Sequence, residues 1–140
     1  MAKSSDMNGI WSGMYNYNDI DMTVKFTAWL DDQNSVLGGT TMEPNTFAPE
    51  GPDDLMAIIE GARAGLDVAF QKTYEASSGV VQAPVFYEGE VDPDFKEVRG
   101  VWRFEAPDRT SGEFRLIRMA EGMASKLAQM RSATVDLKIP

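Results

Sequence analysis

Residues 9–17 read GIWSGMYNY. Trp11, Gly13, Tyr15 and Tyr17 fall on alternate positions, the two-residue period of a strand with one buried face. A glycine amid three aromatics on one face belongs either to the wall of a filled core or to the floor of a cavity that needs room for something else. The choice depends on whether the rest of the chain repeats the rhythm and closes around it.

The rhythm does repeat. Eight segments have strand character, at about 9–17, 22–31, 35–42, 55–63, 66–75, 85–92, 97–104 and 111–119, separated by turn chemistry. Val98, Gly100, Trp102 and Phe104 share one face, with Glu97, Arg99, Arg103 and Glu105 on the other. Leu66, Val68, Phe70 and Tyr74 alternate with Asp67, Gln71 and Thr73, and Val24, Phe26, Ala28 and Leu30 with Thr23, Lys25 and Thr27. A dry face backed by a wet one is the mark of antiparallel strands, since parallel strands are buried on both sides. The tight connections, DDQNS at 31–35, RAG at 63–65 and DPDFK at 92–96, carry hairpin residues. The longer ones, at 43–54, 76–84 and 106–110, all follow odd-numbered strands. In a meander they share one rim, and the chain termini lie at the opposite, tighter end.

Length and composition bound the reading. At 140 residues the chain is one domain, long enough to bury a core without staples. Its net charge of −9 repels nucleic acid and anionic lipid, so neither is an expected partner. With no cysteine and no histidine, disulfides, thiolate ligands, cysteine nucleophiles and the commonest general base are excluded. MAKSSDMNG at 1–9 does not read as a signal peptide, and no apolar run approaches about 18 residues, so the expected location is cytoplasmic. The period changes after residue 119. Met119, Met123, Leu127 and Met130 lie on one face of a helix expected at about 120–131, packed outside the sheet, with a tail at 132–140.

Eight antiparallel strands dispose of their edges by closing. The expected fold is therefore all-β, an eight-stranded antiparallel up-and-down β-barrel over about 9–119 with a C-terminal α-helix. Its interior would receive Trp11, Tyr15, Tyr17, Phe26, Phe70, Tyr74, Tyr87, Trp102, Phe104 and Phe114, with Gly13, Gly89, Gly100 and Gly112 among them. Gly9 and Trp11 on the first strand, Arg118 ending the eighth and a helix directly after it resemble the calycin pattern of lipocalins and fatty-acid-binding proteins. That resemblance implies a bacterial calycin-like barrel in which Trp11 packs at the closed end beneath Arg118, a structural signature. GLDVAFQKTYEA at 65–76, YEGEV at 87–91 and VRGVWRF at 98–104 are similar in rhythm to the avidin barrel. Avidin's biotin-contacting residues have no counterparts here, so the likeness implies no biotin site.

Candidate chemistry is sparse. Lys72, in phase with Phe70 and Tyr74, points inward, where it either anchors an anion or is paired, with Glu60 of the preceding strand as one partner. The ligand-binding candidates are Lys72, Tyr15, Tyr17, Tyr74, Tyr87, Phe70 and Trp102. EGEVDPDFKE at 88–97 is acidic but lacks a calcium-loop pattern, and no metal, cofactor or catalytic residue is assigned. The 43–54 loop, with Pro44, Pro49, Pro52 and Phe47, is either a lid or a pinned surface crossing.

Three readings stand. The first is a non-catalytic barrel taking a small, partly apolar ligand, anionic ones included, through the long-loop rim. The second is a filled barrel acting as a homo-oligomeric or protein-interaction module through outward Trp29, Ile58, Val101 and Ile117 and the Met-rich helix. The third, an enzyme using Lys72, Tyr74 or Glu60 as acid or base, ranks last. A void of roughly 300 Å³ or more at the rim favours the first. A solid interior with one contiguous outer patch favours the second.

Overall fold

The computed structural model describes residues 5–46, 50–75, 83–104 and 110–120. Eight strands run β1 (Gly9–Asn16), β2 (Thr23–Gln33), β3 (Val36–Pro44), β4 (Asp54–Ala64), β5 (Asp67–Tyr74), β6 (Val85–Val91), β7 (Glu97–Phe104) and β8 (Ser111–Arg118). Each pairs antiparallel with the next, and β1 pairs antiparallel with β8, closing the barrel. Closure satisfies every strand edge within the chain. The expected helix at about 120–131 lies, beyond residue 120, outside the described residues, as do the tail, most of the loops at 76–84 and 106–110, and residues 47–49 of the 43–54 loop.

The hairpins follow from their turn residues. Between β2 and β3, Asn34 and Ser35 take φ of 54° and 72°, the left-handed pair that matches a tight two-residue loop to the twist of its strands. Between β6 and β7, the Asp92 carboxylate accepts the Lys96 and Glu97 backbone N–H groups at 2.7 and 2.8 Å. That local bond uses Asp92 as a turn former.

All ten aromatics expected inside belong to the core; eight are buried, and Tyr17 and Phe104 are partly so. Leu66, read as inward, instead sits exposed at the β4–β5 turn because β5 begins at Asp67. Gly13 has a packing reason. A Cβ there would lie 2.3 Å from Cζ of Phe26, its partner on β2, so the Phe26 ring occupies the place a side chain would take. At Gly112 a Cβ would instead meet the Asn16 carbonyl at 1.7 Å and then Trp102 Nε1 at 2.7 Å, so the glycine leaves room for the indole N–H to reach that carbonyl at 2.9 Å. The barrel is filled by its own rings, that of Phe26 laid over Gly13, and its centre is a packed core.

The tight end is closed by Arg118 and by residues the sequence reading passed over. Met7, ahead of β1, is wholly buried; its carbonyl accepts the Trp11 indole N–H at 3.0 Å and its own N–H donates to Asp32 at 2.9 Å. Asp32 also accepts Arg63 Nε at 2.8 Å and the Ser35 N–H at 3.0 Å. Phe95, at φ 55° in the β6–β7 turn, folds in beneath the barrel with Arg63 over its ring at 5.1 Å. Arg118 lies over the Trp11 ring at 5.3 Å and donates to the carbonyls of Asp6 (2.7 Å), Phe95 (3.1 Å) and Asn8. One guanidinium therefore ties the N-terminal segment, the β6–β7 turn and the last strand together.

Candidate functional site

Apart from Asp32 at the tight end, the charged residues of the interior collect at the other end. Tyr15 is the penultimate residue of β1, Glu43 of β3, and Lys72 and Tyr74 lie in the last turn of pleat of β5. All point inward because each is in phase with its strand's buried face. Glu43 Oε1 accepts Lys72 Nζ at 2.9 Å and the Tyr74 hydroxyl at 2.8 Å, while Oε2 accepts the Tyr15 hydroxyl at 2.5 Å. The Lys72 and Glu43 side chains are 1% and 0% exposed, so this is a buried ion pair satisfied by hydroxyls rather than by solvent.

The lysine also sits in a cage of rings. Its Nζ is 4.7 Å from the Tyr15 centroid, 4.9 Å from Tyr74, 5.2 Å from Phe26 and 5.5 Å from Tyr87. Ring faces attract a cation, the more so when it is desolvated. Burial pulls the Lys72 ammonium down, but the oxygens of Tyr87, Tyr74 and Glu43 outweigh it, and its pKa ends above the ordinary lysine range. Burial pushes the Tyr15 hydroxyl far up, reinforced by Tyr74 and Glu43. Burial likewise raises Tyr74, Tyr87 and Tyr17, with Lys72 opposing it at Tyr74 and Tyr87, and a hydrogen bond with Tyr15 opposing it at Tyr17. The phenols are therefore neutral donors over the whole physiological range.

Above the cluster the rings of Tyr17, Trp102 and Phe104 close the mouth. Tyr17 meets Trp102 edge-on at 5.1 Å, Trp102 meets Phe104 at 5.9 Å, and Tyr15 meets Trp102 at 5.6 Å. They enclose, with Tyr87 and Val85, a cavity of about 10 Å³. That is room for one water. Phe70 lies deeper, stacked on Tyr87 at 4.8 Å with ring planes 10° apart, and is packing rather than lining.

Three expectations change. Glu60 is not the partner of Lys72: it is exposed, across from outward Gln71, because residues 60 and 72 lie on opposite faces of the β4–β5 ladder. The partner, Glu43, was read as the start of a loop, since β3 carries two glycines and three threonine or methionine positions before it and no apolar alternation to extend the strand. Its signal was the phase: Leu37, Thr41 and Glu43 fall on alternate positions. Nor do the outward apolar residues make one patch. Trp29 and Ile58 share a row through Thr40, but Val101 stands between Glu88 and Glu113, and Ile117 between Ser12 and Glu97.

Among the described residues no group of three or more acidic side chains is placed to hold a metal ion, and no helix is long and apolar enough to cross a membrane. No family model matches the chain, and no curated protein or solved structure matches it either.

Proposed function

We propose that this barrel is a non-catalytic binding protein that takes a small, partly apolar molecule at its long-loop rim. The observation that supports this reading is the Glu43–Lys72 pair, wholly buried directly beneath a mouth of rings. A filled core does not need an ion pair for stability, since apolar replacements of such pairs are often neutral or stabilising by about 1–4 kcal/mol. A few convergent polar groups under an apolar, aromatic lining are instead the usual layout of a small-molecule site. The cavity at the mouth is about 10 Å³, far short of the roughly 300 Å³ that would favour this reading outright, so on it a ligand enters by displacing a ring of the mouth. Native mass spectrometry of protein taken gently from its source tests the reading. A bound small molecule, lost in Glu43→Gln/Lys72→Met, is expected; protein that carries none and gains none from a panel of small aromatic compounds overturns it.

A second reading is a filled barrel that works from outside, as a homo-oligomer or partner surface. The filled interior and the outward pair Trp29 and Ile58, which share a row through Thr40, favour it. The same mass spectrum reports subunit number, so one experiment separates the two.

A further inference from the structure

The mouth has one ring that is not fixed by the sheet. Tyr17 lies one residue beyond β1 and is half-buried, and its backbone N–H reaches the Met22 carbonyl only at 3.3 Å. Its ring is held by edge-on contacts, to Trp102 at 5.1 Å and 86° and to Tyr15 at 5.9 Å and 61°, and by a hydrogen bond with the Tyr15 hydroxyl that turning outward gives up. Rotating it out breaks no ladder hydrogen bond, and it vacates a slot of phenol shape against Trp102 and above Tyr87. Trp102 stays behind as a fixed wall, since its indole N–H is tied to Asn16.

The charge of the floor decides what can replace that ring. The Glu43 carboxylate already accepts from Lys72, Tyr15 and Tyr74, and it balances the buried Lys72 ammonium. An anionic newcomer either brings a second, unpaired negative charge beside Glu43 or draws Lys72 away from it, and each leaves a buried charge without its partner. A cationic one meets Lys72 at close range. A neutral ring with a hydroxyl or amide meets neither cost, and its polar atom can reach the Lys72 ammonium or the Tyr87 hydroxyl beside it.

We infer, resting on the binding reading above, that Tyr17 is the internal occupant of a site for a neutral, phenol-like ring, and that uncharged aromatic ligands are preferred there over their carboxylates. A side chain that occupies its own site lowers apparent affinity by the fraction of time the site is filled, so removing it strengthens binding. The test is calorimetric or NMR titration of wild type and Tyr17→Ala with phenol, and with benzamide and benzoate as a pair matched in size. Phenol affinity is expected to rise by roughly tenfold or more in Tyr17→Ala, and benzoate to bind at least about tenfold more weakly than benzamide in both proteins. Equal or tighter benzoate binding overturns the preference for neutral ligands while the binding reading stands. Phenol affinity unchanged by Tyr17→Ala overturns the role of Tyr17. If none of the three binds either protein, the binding reading itself fails at this mouth. Should Tyr17→Ala not fold, Tyr17→Leu opens part of the same slot and is judged on the same outcomes.

Discussion

Lys72 and Glu43 cannot be judged one at a time. Lys72→Met alone leaves a carboxylate buried with only two hydroxyls to hold it, which typically costs about 3–5 kcal/mol. Glu43→Gln/Lys72→Met removes both charges and keeps an acceptor for Tyr15 and Tyr74, so it is expected to recover most of that loss. Urea denaturation of the two singles and the double gives the coupling; additive effects would show that the pair is not energetically joined. Gly13 makes a second local test. A methyl group there meets the Phe26 ring, so Gly13→Ala is expected to cost about 1–3 kcal/mol, and pairing it with Phe26→Leu to relieve most of that. An alanine tolerated without loss would mean that the ring has free room to move, contrary to the packed interior.

The elements show what the sequence could and could not reveal. Alternation in β2, β5 and β7 was plain because the outer face meets water, and aromatic phase placed Trp11, Tyr15, Phe70 and Trp102 correctly. What stayed hidden were inward polar residues and turn residues that serve as core: Glu43, Asp32, Met7 and Phe95. Phase alone marks them only faintly, since Glu43 and Asp32 have the polarity of loop residues and are buried because a cation on another strand meets them. The hairpin between β2 and β3 thereby acquires a pH dependence. Burial raises Asp32, but Arg63 and the N–H groups of Met7 and Ser35 outweigh it, so its folded pKa lies below the ordinary value. A depressed carboxyl stabilises the fold above its unfolded pKa of about 3.9, and the contribution is lost as pH falls through the folded value. Asp32→Asn should therefore lower stability at neutral pH and flatten its decline toward acid, read as the denaturation midpoint against pH. A variant whose acid decline is as steep as that of the wild type would place the dependence elsewhere, with Glu97 between Arg99 and Arg115 as the next group to examine.

For the whole molecule, closure puts every tyrosine of the chain on the same side of the wall. Tyr15, Tyr17, Tyr74 and Tyr87 are the only four, all belong to the interior, and each has its pKa raised above that of a free phenol. Lys72 is raised too. Groups whose folded pKa exceeds the unfolded one stabilise the fold fully below the unfolded value, about 10 for tyrosine and about 10.4 for lysine. As pH rises past that point the unfolded chain releases these protons first, and each group removes up to about 1.4 kcal/mol of stability per pH unit until its folded pKa is reached. Ionisation and unfolding then become coupled, because three of the phenols are buried and Tyr17, at the mouth, is half-buried. Tyrosinate absorbance is expected to stay flat through pH of about 10 and then to rise in a single step that coincides with loss of the near-ultraviolet circular dichroism of the buried tryptophans. A rise near the ordinary phenol pKa with the dichroism intact would mean that at least one ring is open to solvent. Tyr17→Phe distinguishes whether that ring is the one at the mouth: if the early rise vanishes in the variant, Tyr17 already spends much of its time turned outward, and the slot behind it stands ready for a ligand.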